Sequence, residues 1–146
     1  MNADEASEAL NAVASAKRSV AAASAAPLWR HAAFGLVMAL LMLSVAAGQP
    51  FWLLPWALSI AGMALLFWWD RRRTGMFVNG YRRGRTLPLT IALLVVMVAL
   101  AVAAGRLNLY GYREIALLTV PAIFVVGLVA SLWWERVFLR EMAAGR

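Results

Sequence analysis

Four stretches of this chain contain no Asp, Glu, Lys or Arg: residues 32–47, 51–69, 87–104 and 115–134. Each is close to the roughly 20 residues that, rising 1.5 Å apiece as a helix, cross an apolar layer about 30 Å thick. Buried helices of a soluble domain are the competing explanation. That explanation fails on composition, because soluble domains average about 45–50% apolar and about 25% charged residues. Here the 146 residues are 64% hydrophobic and 14% charged, leaving too little polar sequence to cover four such helices. The sequence therefore predicts an all-α integral membrane protein with four transmembrane helices in two helical hairpins, preceded by an N-terminal cytoplasmic or interfacial helix. Residues 1–29 form the lead-in, and residues 30–146 form the membrane domain.

The basic residues orient this arrangement. Lys17, Arg18 and Arg30 precede the first span, and Arg71, Arg72, Arg73, Arg82, Arg83 and Arg85 crowd the 70–86 connection. Arg106 and Arg113 lie between spans three and four, and Arg136, Arg140 and Arg146 follow the last span. Connections on the side of synthesis retain Lys and Arg, so the twelve-to-two split places both termini and the 70–86 loop in the cytoplasm. The short loops and arginine-rich inner side suggest a bacterial inner membrane. Trp29, Trp52, Trp68, Trp69, Trp133 and Trp134 fall at span ends, where an aromatic belt belongs, and Trp56 sits one turn deeper. Pro55 and Pro121 lie in the outer parts of spans two and four, as first-turn residues or kinks. "SVAAGQ" resembles a processing site, but the roughly 30-residue acidic lead-in is unlike a short basic signal region, so span one is expected to be retained.

"LLFWWDRR" at the end of span two is echoed 65 residues later by "ASLWWERV" at the end of span four. The echo suggests two like-oriented hairpins related by an axis along the membrane normal. Small residues four apart mark close helix packing, within the chain or between copies: Gly35 and Ala39, Ala57 and Ala61, Ala99 and Ala103, Gly127 and Ser131. In the lead-in, Asn2 and Glu5 fit a capping box and Pro27 a stop. In the central loop, Asn79-Gly80 reads as a type I′ turn.

The chemistry implied is sparse. With no cysteine and one histidine, there is no thiolate chemistry, no ligand cluster for a metal and no expected cofactor. The chain is not expected to be an enzyme. Its length and span count are those of the small multidrug exporters, but those depend on a carboxylate in the first span, where this chain has only apolar residues and Ser44. The polar side chains of the spans reduce to Ser44, Ser59, Thr90, Thr119 and Ser131. His31 reads as an interfacial histidine bonded to lipid or backbone. Asp70 and Glu135 read as partners of the arginines that follow them. The six central arginines form a cationic collar suited to anionic lipids or a protein partner, and no nucleic acid is expected. The outer loop 105–114, with Leu107, Leu109, Tyr110 and Tyr112, rests on the opposite interface. Two functional classes remain: a small interaction, accessory or regulatory membrane protein, or the protomer of an oligomeric transporter or channel.

Overall fold

The computed structural model describes residues 3–24, 26–74 and 86–143, which form six helices and, among them, no strand. α1 spans Ala3–Ser24, α2 Leu28–Ala47, α3 Leu53–Thr74, α4 Thr86–Leu109, α5 Arg113–Leu117 and α6 Thr119–Ala143. Four of them, α2, α3, α4 and α6, are long and apolar enough to cross a membrane. At 20 to 25 residues, each measures about 30–38 Å. A helix suits these sequences because it bonds every interior N–H and C=O within one segment, which an apolar surrounding requires.

Proline and glycine set the boundaries. Pro27, with φ −68° and ψ 152°, is extended and precedes the first residue of α2. Pro55 falls in the first turn of α3, where its missing N–H costs nothing. The expected fourth span is divided: α5 ends at Leu117, and α6 begins at Thr119. Pro121 explains the break, since its ring opposes the carbonyl of residue 117 and it donates no hydrogen bond to it. The expected 105–114 loop shrinks as well. α4 continues through Arg106 to Leu109 and closes with Gly111 at φ +83°. The Tyr112 N–H reaches Leu107 O at 2.8 Å and the Gly111 N–H reaches Asn108 O at 3.1 Å, the paired bonds of a glycine-terminated helix end.

α2 is the centre. α6 runs antiparallel against it, crossing where a Cβ on Gly127 would stand 3.3 Å from Gly35 Cα, and one on Gly35 would stand 2.8 Å from Phe124 O. Backbones approach this closely only where both helices lack side chains, as expected for helix packing in lipid. Gly35, Ala39, Gly127 and Ser131 are all buried along this crossing. Met38, Ala39, Met42 and Ala46 continue the stripe into a core completed by Ala104, Ala116 and Ile123. α3 packs on another side of α2, with Gly62 against Val37. α4 packs on α6 and α2.

One expectation fails at this level. A two-fold relation between hairpins would require α3 and α4 to mirror the α2–α6 crossing, yet within the described residues α3 touches neither α4 nor α6. Ala57, Ala61, Ala99 and Ala103 lie on exposed faces, so of their two expected uses, packing within the chain is not the one they serve. The exposed faces of α3 and α4, including Leu54, Leu65, Leu94 and Val98, are apolar.

At the turn between α2 and α3, Gly48 has φ +64°, and a Cβ there would collide with the Asn108 side chain at the end of α4. Gly48→Ala is expected to cost about 1–3 kcal/mol through the left-handed backbone alone. The collision adds to it. Thermal melting in detergent should show Asn108→Ala restoring only part of the loss, because it relieves the collision and leaves the dihedral strain; full restoration would remove the backbone argument.

Candidate functional site

The ends of α3 and α6 and the start of α2 lie at the same end of the bundle, and their polar residues meet there. Arg30 and His31 occupy the first turn of α2. Asp70 lies near the end of α3, and Ser131 and Glu135 are one turn apart on the α2-facing side of α6. The Arg30 Nη2 donates to Asp70 Oδ2 at 2.6 Å and Nε donates to Oδ1 at 3.3 Å, so the guanidinium grips both carboxylate oxygens. Its Nη1 donates to Ser131 Oγ at 3.4 Å.

His31 is 1% exposed, among the most deeply covered side chains of the chain. Its Nδ1 lies 2.8 Å from Ser131 Oγ. Its Nε2 lies 2.9 Å from Glu135 Oε2, an ion-pair approach without the alignment of a hydrogen bond. The other carboxylate oxygen, Oε1, accepts the Ala26 N–H at 2.5 Å, tying the α1–α2 connection to α6. Arginine can only donate, so one consistent direction runs from Arg30 to the Ser131 hydroxyl, from that hydroxyl to Nδ1, and from Nε2–H toward Glu135.

These contacts correct the sequence reading at three residues. Asp70 and Glu135 do not pair with Arg71 and Arg136; they turn to Arg30 and His31, which are adjacent in sequence. A helix sends consecutive residues about 100° apart, so an acid that faces the neighbouring helix directs the following arginine elsewhere. His31 is not turned to lipid or backbone, because the α2–α6 crossing buries it against Ser131 and Glu135 one turn beyond the Gly35–Gly127 contact. A signal for the cluster was present: the WWD and WWE echo marks two acids at equivalent span ends, and Arg30-His31 supplies two consecutive partners.

Serine, histidine and glutamate in contact are the residue types of an acyl-transfer triad. The geometry does not open that chemistry. Ser131 is 8% exposed, its hydroxyl lies between Arg30 and His31, and the carboxylate faces the same imidazole from the other side. The cluster reads as a clasp joining α2, α3, α6 and the α1 connection.

The aromatics frame this end. Trp29 meets Trp69 edge-on with ring centroids 4.7 Å apart. Trp134 stacks on Phe138 at 5.3 Å. The Arg72 guanidinium lies 3.9 Å from the centre of Trp68, and that of Arg73 lies 5.3 Å from the centre of Trp69. Trp133 is exposed, and Trp52 lies at the opposite end beside Trp56. Arg71 is exposed. Arg82, Arg83 and Arg85, the Asn79-Gly80 turn and Asn2 of the capping box lie outside the described residues. α1 contacts α6 and α3.

The span hydroxyls divide sharply. Ser44, Ser59 and Thr90 each bond a carbonyl of their own helix three or four residues back, and Thr119, at the start of α6, bonds Ala116 O of α5. Ser131 instead meets side chains of α2, Arg30 and His31. No group of three or more metal-ligating side chains occurs among the described residues.

Long apolar helices, glycine-mediated crossing and polar groups gathered at one end define a multi-pass membrane protein. No family model, curated protein or solved structure matches the chain.

Proposed function

We propose that the chain is a small interaction or accessory protein of the cell membrane, with both termini and the arginine-rich connection on the cytoplasmic side. α1 and the 70–86 connection are its cytoplasmic working surface, and the four spans anchor and orient them. The observation that carries this reading is the distribution of polar groups. Ionisable side chains of the spanning helices cluster at their ends, and the hydroxyls of Ser44, Ser59, Thr90 and Thr119 bond backbone carbonyls three or four residues back. A transporter or channel needs polar groups or water along its path. Glu135 supports the assignment of α1, since its bond to the Ala26 N–H holds the lead-in at the arginine-rich end.

Topology is tested by reporter fusions. Alkaline phosphatase joined after Asn108 is expected to be active, and the same enzyme joined after Arg146 inactive; activity at Arg146 would reverse the orientation. Purified protein in liposomes is expected to give no flux of small cations or drug-like cations above empty liposomes. Flux would favour the transporter reading.

A further inference from the structure

We infer that the end of α3 is a binding site for anionic phospholipid headgroups, in which Arg71 and Arg72 hold the phosphate and Trp68 is the platform. The inference deepens the membrane reading above and rests on it, though not on which side of the membrane this end faces. The starting point is where the acids go. Asp70 turns to Arg30 and Glu135 to His31, so neither carboxylate is spent on the arginine beside it. The Arg71 and Arg72 guanidinium groups are therefore left without a neighbouring carboxylate of their own. The negative end of a helix amounts to only about half an elementary charge. Arg71 and Arg72 together exceed what that requires.

Geometry supplies the rest. Arg72 lies over Trp68 at 3.9 Å, one helical turn away. A guanidinium stacked on an indole keeps its N–H donors in its own plane, along the edge not covered by the ring, and that planar fork matches a phosphate's oxygens. Trp68 is about half exposed and stands between the exposed apolar Leu65 and the arginines. An indole with an apolar body and a polar neighbour settles at headgroup depth. Arg71, exposed beside Arg72, adds a second charge at the same level.

The test uses the full-length protein in nanodiscs of equal phosphatidylglycerol and phosphatidylcholine, released gently into detergent, with retained lipids counted by native mass spectrometry. The wild type is expected to retain phosphatidylglycerol preferentially, less so as salt rises. R71Q/R72Q is expected to lower that preference about fivefold per arginine, or about 25-fold together. R106Q, at the opposite end, should leave it unchanged. Both arginines are exposed, and an unchanged melting temperature will show that the double variant is folded. Equal retention of the two lipids by the wild type, or an undiminished preference in the folded double variant, overturns the proposal. Nanodiscs offer the same lipids on both faces, so this result is read separately from topology.

Discussion

Gly35→Leu is expected to separate α2 from α6 and to have the largest effect on stability of any single substitution in the spans. A Cβ at this position would already stand 2.8 Å from Phe124 O and 3.3 Å from Leu128 N, both backbone atoms that cannot swing aside. Overpacking a tight site costs about 1–3 kcal/mol, and a full isobutyl group between two backbones belongs at or above the upper end. A loss of that size corresponds to a fall of about 5–10 °C in melting temperature for a chain of this length. Gly127→Leu should behave alike, because its Cβ would meet Gly35 Cα. Ala99→Leu and Ala103→Leu, on the exposed face of α4, should change little. If Gly35→Leu melts with the wild type, the α2–α6 crossing described above is wrong.

The second large effect is expected at Glu135. Glu135→Ala withdraws the carboxylate from His31 Nε2 and from the Ala26 N–H together. A covered polar group left without its partner costs about 1–3 kcal/mol. Two are left here. The Arg30–Asp70 pair offers a contrast: its side chains are 26% and 34% exposed, and partly solvated pairs contribute about 0.2–1 kcal/mol. Asp70→Asn should therefore destabilise less than Glu135→Ala. A double-mutant cycle between His31→Ala and Glu135→Ala is expected to give a coupling of about 0.5–3 kcal/mol. Additive losses would mean that the two side chains act independently. Limited proteolysis offers a second readout, since Glu135→Ala should make the Ala26 connection more readily cleaved.

The clasp and the lipid site follow from one geometric fact. By turning Asp70 and Glu135 inward, the fold neutralises its buried groups and leaves the adjoining arginines to the surroundings. A chain in which Asp70 paired with Arg71 would have a weaker hold on α2 and a less cationic end of α3.

Much of this molecule was readable from its residues. Runs without charge set the four long helices, since an apolar layer excludes unbonded backbone and uncompensated charge whatever the packing. Pro27 marked the stop of the lead-in helix, and the small residues Gly35 and Gly127 marked a close approach. These are local properties, carried by single residues or short runs.

Which helices use their small residues on one another depends instead on relative rotation about each axis, and no short segment encodes that. Alanine pairs on α3 and α4 have the same spacing as the pairs at the crossing and face outward. The partners of His31, Asp70 and Glu135 are 40 to 109 positions away in the chain, brought near only when α2 crosses α6 at glycine and packs α3 on another side. Composition and hydropathy determined that the chain spans a membrane and where its spans lie, because transfer into lipid acts on each segment alone. Tertiary structure decided which charges cancel and which remain outward, because a few tens of degrees of helix rotation move a carboxylate from one partner to another.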